Sequence, residues 1–384
     1  MVPFLDLTEA TRAARGEIDG AIGRVLDSGQ YILGGEVAAF EAEFAAYCGV
    51  RHGVGVANGL DALTLILRGY EIGAGAEVIV PANTYIATWL AVSAAGASVV
   101  PVEPDLKTWN LDPGRVAEAV TGRTRAILAV HLFGHSADLG PLGEIAGRHG
   151  LKLIADAAQS HGARYRGLPT ARWADAEAYS FYPTKNLGAL GDAGAVVTDD
   201  ARLAERVRLL GNYGSREKYS NEVRGVNSRL DALQAAILRV KLRRLDAINV
   251  RRREIAGRYL AELGEAERDG LILPRAGEAC EPVWHVFAVR HPQRGRLQER
   301  LGSMGIGTLI HYPVPPHLAR AYGDGGFREG DFPLTEALAA TELSLPLHPH
   351  LSEGQVTEVI ESVCRAVGSL AGRRAFVRAG GASA

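Results

Sequence analysis

No apolar run in this sequence is long enough to span a membrane. The longest weakly polar stretch, Ile86 to Val102, is broken by Ser93, Gly96, Ser98 and Pro101, and reads as a buried helix followed by a strand. Cysteine is scarce: Cys48, Cys280 and Cys364 are odd in number, far apart and without metal-ligand spacing. That fits a reducing cytoplasm and excludes a disulfide framework. Neither sign of charge dominates, since 42 Lys and Arg stand against 44 Asp and Glu for a net charge of -2. The missing basic excess argues against nucleic acid as a partner. The opening residues Met1 to Leu7 carry Asp6 and lack the basic-then-apolar order of a signal peptide. There is no Gly-x-Gly-x-x-Gly after the first predicted strand and no Gly-Lys-Ser/Thr loop, so a dinucleotide dehydrogenase or an NTPase is poorly supported. His131, His135 and His161 fall in no metal spacing. We expect a cytoplasmic enzyme with no metal, no membrane association and no nucleic-acid partner.

What is present is a large core. With 384 residues, 47% of them hydrophobic and 22% charged, the chain can fold as two structural units of one enzyme. Residues 1 to about 50 read as mostly helical, with Ile18, Ile22, Val25 and Leu26 at helical spacing before a Gly34-Gly35 break. Short β-rich runs then alternate with helices. The predicted strands are 53–56, 77–80, 98–102, 126–130, 151–155, 176–181 and 193–198. This alternation implies an α/β fold, a mostly parallel sheet with helices on both faces. From Ser228 one long amphipathic helix is expected to run towards Leu263, with Lys241, Arg243, Arg244 and Arg251 to Arg253 on a solvated face. We place a large domain at 1–245 and a smaller C-terminal α+β domain at 246–384. The smaller domain should hold a strand at 282–290, a helix at about 294–304, a strand leading to 308–313 and a helix around 334–341. A last helix opens on the capping box Ser352-Glu-Gly-Gln355, and a frayed tail begins at about 372.

The chemistry concentrates in Ser180-Phe-Tyr-Pro-Thr-Lys185-Asn-Leu-Gly188. A lysine amine can condense with an aldehyde, and a serine hydroxyl suits a phosphate oxygen; pyridoxal phosphate needs both. Upstream, Asp156-Ala-Ala-Gln159 puts a carboxylate and an amide at a strand's carboxyl end, where open α/β sheets bind ligands. A carboxylate facing a pyridine nitrogen keeps it protonated, so that the ring can accept electrons. Asn58-Gly59, at a strand-to-helix turn, offers backbone amides for a phosphate, and Tyr85 follows the second strand with a ring able to stack on a cofactor. Each residue also has a plainer reading: a solvated loop lysine, a helix-capping aspartate, an ordinary Asn-Gly turn, an exposed tyrosine. The conjunction of Lys185 and Asp156, each in strand-then-turn context, favours the cofactor.

Five stretches carry a family resemblance: 56–63 (Val-Ala-Asn-Gly-Leu-Asp-Ala-Leu), 156–163 (Asp-Ala-Ala-Gln-Ser-His-Gly-Ala), 180–188, 212–215 (Asn-Tyr-Gly-Ser) and 227–236 (Asn-Ser-Arg-Leu-Asp-Ala-Leu-Gln-Ala-Ala). In this order they resemble the DegT/DnrJ/EryC1/StrS family of pyridoxal-phosphate-dependent nucleotide-sugar aminotransferases. The resemblance implies the fold-type-I, aspartate aminotransferase-like architecture and a homodimer with shared active sites. It further implies that Lys185 holds the cofactor as an internal aldimine and shuttles protons. Asp156 would pair with the ring nitrogen, Gln159 would bond the ring hydroxyl and Tyr85 would stack. Asn58, Gly59 and Ser180 would hold the phosphate, joined by Asn227 from the other subunit. Residues 212–219 and 305–318 look most like the subgroup that aminates C-3 of thymidine-diphosphate-linked 3-keto-6-deoxyhexoses, with L-glutamate as amino donor. By that likeness Tyr182, Lys218, Tyr219, His311 and Tyr312 would lie near the sugar or its diphosphate. One departure is Gly211, where relatives often carry arginine before Asn-Tyr-Gly.

Three alternatives stand beside this reading. A C-4 sugar aminotransferase would use the same cofactor residues. A sugar dehydratase of this family would carry histidine where Lys185 stands. A non-catalytic regulator on the same fold would have lost one of Lys185, Asp156, Gln159 or Ser180, and all four are present.

Overall fold

A computed structural model describes residues 1–217 and 219–372. Lys218 and the part of the expected tail beyond residue 372 lie outside the described residues. The seven predicted strands form a single sheet: β1 His52–Val56, β2 Glu77–Pro81, β3 Ser98–Val102, β4 Thr124–Val130, β5 Lys152–Asp156, β6 Ala176–Ser180 and β7 Gly194–Thr198, in the order β1-β7-β6-β5-β4-β2-β3. Neighbours from β3 to β6 pair in parallel, whereas β7 runs antiparallel to both β6 and β1. Two reversals cancel, so β1 points the same way as β6. The carboxyl ends of six strands therefore share one edge. Because β7 starts at that edge, with Gly194 opposite both Ser180 and Val56, residues 181–193 never cross the sheet. They stay at the strand ends as an edge loop, and Lys185 is in that loop.

Alternation along the strands feeds a core on each face. Val78, Val80, Ala126 and Leu128 point to one side, where Leu63, Ile66, Trp89 and Val207 arrive from the helices Gly59–Gly69, Ala87–Ala94 and Ala201–Gly211. Ile79, Ile127, Ala129 and Leu153 point to the other, against Leu142 and Ile145 of the Leu139–His149 helix. Side chains alternate with period two along a strand, and a sheet covered on both faces needs apolar residues at every position. A third cluster joins Phe40, Phe44, Tyr179 and Phe181 to Leu238 of the Ala232–Leu242 helix. A fourth gathers Ile255, Tyr259, Phe287, Leu297, Leu343 and Val359 around a two-stranded antiparallel sheet, β8 Phe287–Arg290 and β9 Glu342–Leu345. Val2 belongs to this last cluster through its bridge to Ile306.

Three expectations change. The long helix is two helices, Ala232–Leu242 and Leu245–Glu262, separated at Arg243 and Arg244. The first packs its apolar face on the Arg15–Ser28 and Gly35–Tyr47 helices, while the second turns Ile255 and Tyr259 into the C-terminal cluster. No proline or glycine marks the break, and tertiary packing imposes it. Nor are all the basic residues there solvated. Lys241 donates to the Gly188 carbonyl at 2.6 Å, and the buried Arg252 donates to the carbonyls of Trp284, His285 and Leu347. The strand expected to lead to 308–313 is reduced to isolated bridges, Val2 to Ile306 and Leu309 to Ser344, and the strand partner of β8 is 342–345. The Ser352 to Gln355 capping box is formed as expected.

Glu41, inside the helix Gly35–Tyr47, ties that helix to the sheet. Its carboxylate accepts from the Gly55 amide at 2.7 Å and from Arg208 at 2.6 and 3.0 Å. Glu41→Ala leaves the Gly55 amide buried and unpaired, which costs about 1–3 kcal/mol. The expected result is a lower denaturant midpoint with an unchanged slope; an unchanged midpoint would refute the role.

Candidate active site

Asp156 ends β5 as a buried carboxylate. Its Oδ2 accepts from the Thr88 hydroxyl at 2.9 Å, its Oδ1 from the Ala158 amide at 3.1 Å, and Thr84 backs Thr88 at 2.9 Å. Burial pushes the Asp156 carboxyl up, and the two donors together with Lys185 pull it back. Thr88 comes from the first turn of the helix after β2, so the Ile86–Val102 stretch supplies a donor as well as core.

Lys185 lies in the edge loop, where its amide bonds the Tyr182 carbonyl at 2.9 Å. The loop is compact: a Cβ on Gly188 would lie 2.4 Å from the Pro183 carbonyl oxygen. Burial lowers the Lys185 amine to about 8, and the Asp156 carboxylate opposes that drop. An amine in this range exists in both forms near neutrality, so it can attack as a nucleophile and also exchange protons. A buried relay holds the neighbouring residue. His285 Nδ1 lies 3.2 Å from Asn186 Oδ1, Asn186 Nδ2 donates to Asn249 Oδ1 at 3.0 Å, and Asn249 Nδ2 donates to the His161 carbonyl at 2.8 Å. His161 Nε2 in turn donates to the Ser180 carbonyl at 2.9 Å. Burial and the Lys185 charge lower His161 to about 3, so its ring is neutral.

At the next strand end, Asn58 caps the Gly59–Gly69 helix through a 2.8 Å bond to the Asp61 amide. Gly59 is pressed onto Ser180, since a Cβ there would come 2.7 Å from the Ser180 Cβ. The first helical amides and the Ser180 hydroxyl thus form a concave cradle that only glycine leaves open, with the donor character that suits a phosphate. On the other side of Asp156, Gln159 accepts from the Phe133 amide at 2.6 Å and donates to the Tyr312 hydroxyl at 2.9 Å. The half-exposed Tyr85 ring lies 5.1 Å from the Tyr312 ring. Asp156, Gln159, Lys185, Ser180, Asn58, Gly59, Tyr85, Tyr312 and His311 therefore converge on one edge of the sheet.

Others are not gathered within the chain. Asn227 is exposed, bridged to Asn212, while its neighbour Ser228 accepts from the Ala57 amide at 3.1 Å. Tyr219 is 88% exposed, whereas Tyr182 lies in the edge loop beside Lys185 with its side chain half-exposed. At Gly211 a Cβ would sit 2.6 Å from the Ser228 carbonyl oxygen, so arginine there needs a backbone shift. Arg229 instead brings a guanidinium 5.5 Å from the Tyr213 ring and donates to Asn212 at 2.9 Å. Sequence reasoning missed Thr88, Asn186, Asn249 and His285. Thr88 and Asn249 are ordinary polar residues inside helices, Asn186 and His285 lie in loops, and only their convergence distinguishes them. Among the described residues no cluster of side chains has metal-binding geometry, and no helix is long and apolar enough to cross a membrane.

Comparison with known proteins gives the family and the fold. The model of the DegT/DnrJ/EryC1/StrS aminotransferase family matches residues 13–364. The chain is 55% identical to dTDP-3-amino-3,4,6-trideoxy-alpha-D-glucose transaminase of Streptomyces venezuelae, over 94% of this chain and 95% of the relative. It is 52% identical to dTDP-3-amino-3,6-dideoxy-alpha-D-galactopyranose transaminase of Aneurinibacillus thermoaerophilus, over 95% and 99%. Among solved structures, S. venezuelae DesV in complex with a ketimine intermediate superposes with a TM-score of 0.93 at 54% identity, covering 95% of this chain and 98% of that one. With the family matched along nearly its whole length and the fold shared with a relative of more than half-identical sequence, this chain belongs to the DegT/DnrJ/EryC1/StrS aminotransferase family.

Proposed function

We propose that this chain is a pyridoxal-phosphate-dependent aminotransferase that converts a dTDP-linked 3-keto-6-deoxyhexose to the 3-amino sugar in deoxyaminosugar biosynthesis, with L-glutamate as amino donor. The observation that carries it is the lowered Lys185 amine beside the buried Asp156 carboxylate at the strand ends of a chain in this family. The C-3 assignment draws on two relatives, each named for a 3-amino sugar and each more than half-identical. Bound pyridoxal phosphate supplies an aldehyde that exchanges amines and a protonated ring that takes up the electron pair released at the substrate carbon.

The residues present fit that group. The cradle of Gly59, Ser180 and the helix start matches a phosphate in shape and in donors, and a Cβ would fill it. Asp156 retains acceptor capacity beyond its two hydrogen bonds and suits a protonated ring nitrogen. Gln159 has one amide hydrogen beyond its bond to Tyr312, for a ring hydroxyl. Tyr85 offers its exposed face for stacking. Lys185 would hold the cofactor through its amine and would move the proton at the substrate carbon. Tyr182, Lys218, Tyr219, His311 and Tyr312 would contact the sugar or its diphosphate. Asn227, exposed in the single chain, would complete the phosphate site of a second copy. The exposed apolar residues Tyr31, Ile32, Leu33 and Val226 suit burial in such a homodimer.

The decisive test is the visible spectrum of the cofactor-loaded protein, titrated with L-glutamate and with 3-amino or 4-amino dTDP-6-deoxyhexoses. Bleaching by glutamate and the 3-aminosugar alone is expected; bleaching by the 4-aminosugar alone would move the chemistry one carbon. Lys185→Ala should lose both the wild-type band and turnover, and retained turnover would refute the assignment. The amine is neutral above about 8, so capture of cofactor by the cofactor-free protein should accelerate as pH rises through that value. Asp156→Ala removes the charge that raises the amine and should shift this midpoint downward. A midpoint near the ordinary lysine value of 10.5 would contradict the burial argument. Mixing inactive Lys185→Ala and Asn227→Ala chains should restore about a quarter of wild-type activity, through mixed dimers that hold one intact site. No recovery would mean that Asn227 serves its own chain.

A further inference from the structure

At the rim of the site two buried polar residues, Glu342 and Ser344, stand against His311. Residues 309–311 run beside β9, with Leu309 and Ser344 exchanging backbone hydrogen bonds at 3.3 and 2.8 Å. Alternation along β9 turns Glu342 and Ser344 to the same side, and both are buried. The Glu342 Oε2 atom accepts from the His311 amide at 2.6 Å, and Oε1 accepts from the Ser344 hydroxyl at 2.5 Å. Ser344 Oγ lies 2.8 Å from His311 Nδ1. The other ring nitrogen, Nε2, makes no hydrogen bond among the described residues, and His311 lines a cleft with Asn83, Thr84 and Tyr312. In that cleft Asn83 Oδ1 is buried with no hydrogen-bond partner among the described residues, while its Nδ2 donates to the Trp109 carbonyl.

We propose that Glu342 and Ser344 are positioning residues that set the tautomer of His311, and with it whether His311 offers the sugar a hydrogen-bond acceptor or a donor. The logic is one of donors and acceptors. With Glu342 ionised, Ser344 must donate to it, so Ser344 Oγ accepts from a protonated Nδ1 and the free Nε2 faces the cleft as an acceptor. A proton on Glu342 Oε1 is the one that faces Ser344, while Oε2 goes on accepting from the His311 amide. Glu342 then donates to Ser344, Ser344 donates to Nδ1, and Nε2–H becomes a donor. The ring stays neutral throughout.

The electrostatics permit this switch. Burial raises Glu342 to about 7, against the Ser344 hydroxyl, the His311 amide and, more weakly, Arg294 of the Arg294–Ser303 helix, and burial lowers His311 to about 4, with the Lys185 charge acting in the same direction. Arg290 stands opposite Glu342 in the β8–β9 ladder, but its guanidinium donates to the Thr341 hydroxyl. Above about 7 the ionised form prevails, and the ligand atom opposite Nε2 must be a donor, such as a sugar hydroxyl. That consequence rests on the sugar aminotransferase reading; the relay itself does not.

The test uses the cofactor-loaded enzyme with 15N-labelled histidine, its His311 signal assigned by loss in His311→Gln. Multiple-bond 15N spectra distinguish the two tautomers. At about pH 8.5 the Nδ1–H form is expected and at about pH 5.5 the Nε2–H form. Glu342→Gln, whose amide donates to Ser344 as a protonated carboxyl would, should hold Nε2–H at both values. Ser344→Ala should abolish the pH dependence and covers the case of a poorly folded Glu342→Gln. In kinetics above neutrality, Glu342→Gln should raise the sugar KM about tenfold and leave kcat and the glutamate KM nearly unchanged. A wild-type tautomer that does not respond to pH, a Glu342→Gln spectrum like wild type at high pH, or an unaltered sugar KM would each overturn the proposal. The spectra need no turnover, so an error in the substrate assignment leaves them intact and is told apart from an error in the relay.

Discussion

The arrangement depends on holding a carboxylate and an amine together where water is scarce. Asp156 is buried with only two neutral donors, Thr88 and the Ala158 amide, and the loss of hydration pushes it towards its neutral form. Lys185 meets the same penalty with the opposite sign. Each therefore depends on the other, because a charged neighbour in a low-dielectric site offsets part of the desolvation that isolation would leave in full. The pair exists only because the antiparallel β7 keeps residues 181–193 at the edge where β5 ends.

The rest of the site serves that pair. The chain from His285 through Asn186 and Asn249 to His161 and Ser180 fixes the residue next to the lysine, and it binds the C-terminal segment to the edge loop. Lys241 holds the far end of the same loop through Gly188. Buried polar chains of this kind specify one geometry, since each member left unpaired carries its full desolvation cost. The hydrogen bonds joining Glu342, Ser344 and His311 apply the same principle at the rim of the cleft.

Much of this was legible in the residue order. The seven strands show as β-rich runs because a sheet covered on both faces needs apolar side chains at nearly every position, and Val78, Ile79 and Val80 are all buried. Lys185, Asp156 and Gly59 stood out as candidates because a nucleophile, a strand-end carboxylate and a glycine at a helix start each have a chemical reason for their place, and the fold brings them to one edge of the sheet. The break at Arg243 and Arg244 was not readable. It carries no local signal, and its cause is two different partners for the helices on either side. Arg252 shows the same limit: its place in a basic run suggested solvent, yet three distant carbonyls receive it.

The sequence by itself indicated the α/β class and the cofactor chemistry, because these rest on periodicity and on residue types whose reactivity is intrinsic, and its motifs carried the resemblance to the family that the comparisons show. The tertiary structure alone decided which polar groups meet. Thr88 reaches Asp156 from a sequence separation of 68, Asn186 reaches Asn249 from 63, and Ser344 reaches His311 from 33. Hydrogen bonds form between atoms within about 3 Å of each other. Only the packed chain settles which distant residues come that close.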